Sequence, residues 1–209
     1  MKAWYWLLIV LACITLALFT TDFPRTKARD AQLPPELEGE PDVYMERATI
    51  TQYAESGHYR YKLFSENIRY FEKQQLTRLT EPRLAIYRRS DPETQTNTTQ
   101  APWLIESAHG YIRQRKDTNR EVVFLRENVR LKHTPSTGPA MTLRTESLYV
   151  YPHRQFAETD QPVMIDSTVG RTKAAGFEGD LNTGLLTMSS SVEQRVHTIV
   201  LPSQIKRGS

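Results

Sequence analysis

GHYRYKLFSENIRYFEKQQLTRLTEPRLAIYR, residues 57–88, decides how this chain is read. Tyr59, Tyr61 and Leu63 alternate with polar neighbours, the period-two signature of a half-buried strand. A small residue, Ser65, follows, with Tyr70 five positions later. A polar turn at residues 72–75 and an acidic-proline pair, Glu81-Pro82, lead into a second alternating strand at Leu84-Ala85-Ile86. The same outline recurs three times. Ser107 precedes Ile112 and then Glu127-Asn128-Val129-Arg130-Leu131; Thr145 precedes Val150 and then Gln161-Pro162-Val163-Met164-Ile165; Gly176 precedes Leu181 and then Ser190-Ser191-Val192. The small-to-apolar spacing is five each time, and the starts lie 42, 38 and 31 residues apart. A degenerate period of this size points to stacked supersecondary units, none of which can bury its apolar face alone.

Working outward, residues 43–53 read as a further strand that ends at a Glu55-Ser56-Gly57 turn. No amphipathic helix is expected after residue 41. Glycine or proline recurs at Pro102, Gly110, Gly138-Pro139, Pro152, Pro162, Gly170 and Gly184. Short strands punctuated in this way predict an all-β sandwich, barrel or solenoid spanning residues 42–200. Residues 201–209 read as a flexible tail.

The first residues differ in kind. Ala3 to Phe19 is an apolar run of 17 broken only by Thr15, at the short end of what crosses a hydrocarbon core of roughly 30 Å. A single membrane helix over residues 1–21 is expected. Trp4 and Trp6 would sit at one interface, with Leu8, Leu11, Leu16 and Phe19 in lipid. A cleaved signal peptide is the competing reading, but the run is long and ends without a small-x-small site. Residues 22–41, with five prolines or glycines among charges, read as an extended linker. Flanking charges alone would keep the domain in the cytoplasm. Cys13, the only cysteine, lies in the apolar run, so no disulfide supports the domain.

A net charge of +3 with Lys and Arg spread along the chain argues against nucleic acid. The five histidines stand far apart, and no phosphate loop, nucleophile elbow or metal motif is present. Neither a catalytic residue, a metal nor a cofactor is expected. The one enzyme class considered is a polysaccharide-acting solenoid, which would need Asp160, Asp166 and Asp180 gathered on one face.

One apolar face per strand makes an interior: Ala48 and Ile50, Leu63, Ile68, Leu79, Leu84 and Ile86, Ile105, Val129 and Leu131, Leu143, Val163 and Ile165. Two readings stay open. The interior is an apolar groove that accepts acyl chains, or it is a filled core in a membrane-anchored scaffold that only recruits partners. A stack that does not close leaves edge strands at both ends, with unpaired backbone groups suited to strand addition. These are residues 43–53 at one end and 185–197 at the other, where Leu185, Leu186, Val192 and Val196 are the candidate contacts.

The segments PDVYMERATITQYAESGHYRYKLFSENIRYF, LTEPRLAIY, PWLIESAHGYI and LRENVRL, with Gly57, Tyr61, Leu63, Glu81-Pro82, Trp103, Val129, Gly170 and Gly176 in order, resemble the LptC family. Members are inner-membrane-anchored components of the lipopolysaccharide transport bridge. The resemblance implies an open periplasmic β-jellyroll of twisted, stacked antiparallel strands behind one N-terminal transmembrane helix, with the N-terminus cytoplasmic, against the charge count. It also implies lipopolysaccharide as cargo. The inner-membrane ABC transporter subunits would meet the N-terminal edge and anchor, and the soluble periplasmic bridge protein the C-terminal edge. By position, Ala48 and Leu79 match interior-lining sites of the family, although many members carry a larger or hydroxylic residue at the former.

Overall fold

β-Branched and aromatic residues at alternating positions favour extended backbone, and strands are the only regular elements among the described residues. The structure is a computed structural model and describes residues 39–88, 101–114, 121–135 and 138–201. The expected anchor with Trp4, Trp6, Leu8, Leu11, Leu16 and Phe19, and nearly all of the linker and tail, lie outside these. The strands are β1 Val43–Tyr53, β2 Tyr59–Phe71, β3 Leu76–Thr80, β4 Arg83–Ile86, β5 Trp103–Glu106, β6 His109–Gln114 and β7 Glu121–His133. They continue as β8 Met141–Tyr151, β9 Phe156–Thr159, β10 Val163–Ser167, β11 Gly170–Ala174, β12 Gly176–Asp180, β13 Leu185–Ser189 and β14 His197–Val200.

Every pairing is antiparallel, and the hydrogen bonds join all 14 strands into one sheet. The sheet is folded on itself into two layers. Layer one runs from the first half of β1 through the second half of β2, then β3, β6, the first half of β7, the second half of β8, β9, β12 and β13. Layer two runs from the second half of β1 through the first half of β2, then β4, β5, the second half of β7, the first half of β8, β10, β11 and β14. Four long strands therefore belong to both layers, which is a jellyroll-like arrangement.

The recurring small residues mark the corner where the chain crosses from one layer to the other. β2 pairs with β4 up to Phe64 and with β3 from Asn67, so Ser65 sits at the change of partner. Thr145 follows the β10 pairing of β8, Ser107 separates β5 from β6, and Gly176 opens β12 directly after β11. A larger side chain has no room there. A Cβ on Gly176 would meet Ser189 Oγ at 2.5 Å and the Thr159 carbonyl oxygen at 3.0 Å. The hydroxyls of the others satisfy carbonyls that the bend frees: Asn67 O and Thr80 O, 2.8 and 2.7 Å away, share the single Ser65 hydroxyl proton, Ser107 Oγ donates to His109 O, and Thr145 Oγ1 to Pro162 O. The same column holds left-handed backbone at Arg47, Glu81, Glu127 and Asn128, with φ of 47, 48, 65 and 58°, a conformation that costs non-glycine residues energy and appears where the fold imposes a bend.

Two expectations for the C-terminal end are corrected. Residues 185–197 do not form one strand: β13 ends at Ser189 in layer one, and β14 begins at His197 in layer two. Ser190-Ser191-Val192 is therefore the link between layers and not the closing strand of a fourth unit. Serines that bond their own backbone, as Ser191 Oγ accepts from Gln194 N, favour a turn over a ladder.

Candidate functional site

In layer two the interior reads as one cross-strand row. Ile50 pairs with Leu63, Leu63 with Leu84, Leu84 with Ile105, Ile105 with Leu131, Leu131 with Leu143, and Leu143 with Ile165. At roughly 4.8 Å per strand, the row is about 29 Å long. It turns polar at its C-terminal end, where Ile165 pairs with Thr172 and the Thr172 and Thr198 hydroxyls lie 3.0 Å apart. Facing it from layer one, Met45, Ile68, Leu79, Gly110, Leu125 and Leu148 form a second row. Of the interior residues expected from the sequence, Leu63, Ile68, Leu79, Leu84, Ile86, Ile105, Val129, Leu131, Leu143, Val163 and Ile165 are 0–6% exposed and belong to one apolar cluster. Ala48 and Ile50, on the edge strand β1, are half-buried and pack against it. The two layers are closed onto each other.

Both ends of the stack are open. β1 pairs only with β2, and Val43, Tyr44, Met45 and Tyr53 on it are exposed. At the other end, Leu185, Val192 and Val196 are exposed, Leu186 is half-buried against the core, and Val192 and Val196 lie on the link and not on a strand. The sequence reading missed Ile199 and Val200 on β14 and Leu201 just after it, which are also exposed. Their signal was a run of three consecutive apolar residues at the border of what read as a flexible tail.

Opposite the corner, the far edges of the two layers meet, and polar contacts hold this mouth shut. The Trp103 indole N–H donates to the Leu181 carbonyl at 2.8 Å, and the Gln155 amide donates to the Tyr87 carbonyl. The Tyr61 hydroxyl donates to Glu121 Oε2 at 2.6 Å. Burial and that carboxylate both push the Tyr61 pKa up, so the phenol keeps its proton. Behind Trp103, the His133 ring stacks at 4.0 Å between centroids. It is buried, and its Nδ1 has no hydrogen-bond partner. Burial pushes its pKa below the ordinary histidine value, helped by the charge of Arg88. Tyr61 and Trp103 stood out in the sequence, but their partners across the mouth did not, because half of each contact is a backbone carbonyl or a residue far along the chain.

The three aspartates considered for catalysis do not converge. Asp166 lies on β10 in layer two, where Arg144 and Arg171 both donate to it and lower its pKa. Asp180 caps the turn after β12 by accepting from Asn182 N and Thr183 N. Asp180 pairs with Phe156, whereas Asp160 follows Thr159 at the opposite end of β9, a separation of about 13 Å along the strand. Among the described residues, no group of three or more His, Cys, Asp or Glu could hold a metal ion.

The architecture has a solved counterpart. The chain is similar in structure to LptH from Pseudomonas aeruginosa, the LptA-homologous periplasmic component of the lipopolysaccharide transport device, with a TM-score of 0.50 over 68% of this chain and 95% of that one. At 8% identity this likeness concerns the fold alone. No curated protein matches the chain by sequence. The family described as lipopolysaccharide-assembly, LptC-related, matches residues 7–197. The chain belongs to this LptC-related family and has its role in the lipopolysaccharide transport bridge.

Proposed function

We propose that the domain is a passive carrier of lipopolysaccharide, holding acyl chains between its two layers and leaving the saccharide head outside. The observation that carries this reading is the unbroken apolar row from Ile50 to Ile165. Acyl chains placed along it would lose water contact at about 25 cal/mol per Å². Because the row is closed, the layers must part to admit a chain, and lipid must replace side-chain contacts between them. Residues 1–21 anchor the chain in the inner membrane, residues 22–41 link it, and residues 42–200 form the periplasmic domain. The β1 end receives lipid from the ABC transporter subunits, and the β13–β14 end passes it to the soluble periplasmic bridge protein. The carrier does no covalent chemistry, so direction comes from the transporter's ATP cycle. The anchor holds the interior near its source at high effective concentration.

The filled core favours a second reading, in which the domain recruits its partners through edge strands and never holds lipid. A photo-crosslinker placed at Leu79 in cells separates the two. The carrier forms an adduct with lipopolysaccharide that depends on transporter ATP hydrolysis. The scaffold forms none while both edges still capture their partners.

A further inference from the structure

Alternation turns the chain neighbours of the buried layer-two row to the outside of the sheet. There Phe64 pairs with Arg83, Arg83 with Glu106, Glu106 with Arg130, and Arg130 with Arg144. This row goes on through Met164 to Lys173. The next outward row runs from Lys62 through Leu104 and Lys132 to Asp166 and Arg171. Across these two rows seven lysines and arginines stand against two carboxylates. Both carboxylates are engaged within the face, Glu106 by Lys132 and Asp166 by Arg144 and Arg171. Among the described residues, Lys62, Arg83, Arg130 and Lys173 make no ion pair. Arg130 and Arg144 stand directly opposite each other, which costs stability while no opposite charge covers them. In the matching row of layer one, Arg69 and Arg78 are balanced by Glu158 and Glu178.

Apolar groups are interleaved with the layer-two cations. Leu104 is 46% exposed between Ala85 and Lys132, and the Arg83 guanidinium lies over the Phe64 ring at 5.6 Å. Beside Arg130, Arg144 and Lys173, a groove of about 400 Å³ is also lined by Pro162 and Met164, with Glu146 the one carboxylate among its described lining residues. The cations are spread over seven strands, about 29 Å at roughly 4.8 Å per strand, so they do not converge on a small ligand. They match an extended anionic surface with an apolar layer beneath its charges. We propose that this face docks on the anionic phospholipid surface of the membrane that holds the anchor.

The proposal rests on the anchor reading, because the tether keeps the face beside its surface. An extended linker over residues 22–41 would reach roughly 60 Å at about 3.1 Å per residue, enough for layer two to turn back onto the bilayer. Each cation brought to such a surface favours the docked state about fivefold, and the attraction fades over a Debye length of about 8 Å at physiological salt.

The test uses the full chain with Cys13→Ser and a fluorophore on Leu104→Cys. It is reconstituted into vesicles of phosphatidylcholine alone, or of equal parts phosphatidylcholine and phosphatidylglycerol, and acrylamide quenching reads exposure to water. With phosphatidylglycerol the Leu104 probe is shielded, while a probe on Thr187→Cys, exposed on layer one, stays in water. In phosphatidylcholine both are in water. Salt at about 1 M, where the Debye length is about 3 Å, returns the Leu104 probe to water. Arg130→Gln/Lys173→Gln lowers the ratio of docked to free domain about 25-fold, and Arg130→Lys/Lys173→Arg keeps it. A Leu104 probe that is never shielded, or is shielded regardless of salt or of the Gln variant, overturns the proposal. Shielding that appears only when other bridge components are added, whatever the lipid, assigns the face to an acidic protein and overturns it too. A chain that docks at low salt but leaves the vesicles at high salt supports the face and sinks the anchor reading alone.

Discussion

Trp103 and Leu181 are joined across the mouth, the indole N–H of one donating to the backbone carbonyl of the other at 2.8 Å. These residues stand 78 positions apart in the chain, and their bond ties β5 of layer two to the turn after β12 in layer one. Because Trp103 is fully buried, the contact lies under the surface, where an unmet partner is costly.

Trp103→Phe keeps a ring over His133 and removes only the donor. A loss of about 1–2 kcal/mol is expected in urea unfolding. Amide exchange at Leu181 and Asn182 should accelerate more than exchange in β7, whose ladder the substitution leaves intact. Uniform acceleration across both regions would mean that the bond is not a local fastening.

His133 makes the fastening sensitive to acid. Its folded pKa lies below the unfolded value, so between the two the unfolded chain binds more protons. Its share of stability is complete above the unfolded value of about 6.5 and falls as pH drops below it, levelling under the folded pKa. Urea midpoints taken from pH 8 down to pH 5 should decline more steeply in the wild type than in His133→Gln. Equal slopes would show that the ring charges without cost.

Gly176→Val tests the corner. Its added side chain begins 2.5 Å from Ser189 Oγ and 3.0 Å from Thr159 O, so β12 must shift against β13 or β9. A cost of about 1–3 kcal/mol is expected, read as a lower melting temperature, with Ser189→Gly recovering part of it by removing the first clash. Full stability in the single variant would place the corner elsewhere.

Leu131→Ala opens a hole in the middle of the row, where neighbours on both sides are fixed by pairing with Ile105 and Leu143. The loss should be about 2–5 kcal/mol. Leu84→Asp is harsher, since an unpaired carboxylate has no partner inside. Val192→Arg, on a fully exposed link residue, should stay within about 0.5 kcal/mol of the parent while weakening co-purification with the bridge protein. Unchanged capture would move that contact to β14.

The row and the corner were legible in residues 57–88 because both repeat. Period-two alternation picks out Leu63, Leu84 and Ile86, and a small residue where the strand must bend recurs as Ser65, Ser107, Thr145 and Gly176. The mouth was not legible. A carbonyl acceptor such as Leu181 O or Tyr87 O carries no side-chain signature, and each contact occurs once. How full the interior is could not be read either: alternation places Leu131 and Leu143 inside but does not say whether the facing layer touches them. The break between β13 and β14 escaped for a related reason, since nothing in the side chains of residues 185–197 says where hydrogen bonding stops after Ser189.

The four strands shared by both layers have a mechanical consequence. β1, β2, β7 and β8 act as ribs shared by both layers, so the layers can spread only by bending these strands at the corner, where β1 carries left-handed backbone at Arg47 and β7 at Glu127 and Asn128. β1 is laddered to β2 and β7 to β8, so bending one rib of a pair loads the other. Parting of the layers would therefore bend strands that both layers share, and the edge strands β1 and β14, each paired on one side only, carry the fewest ladders against it.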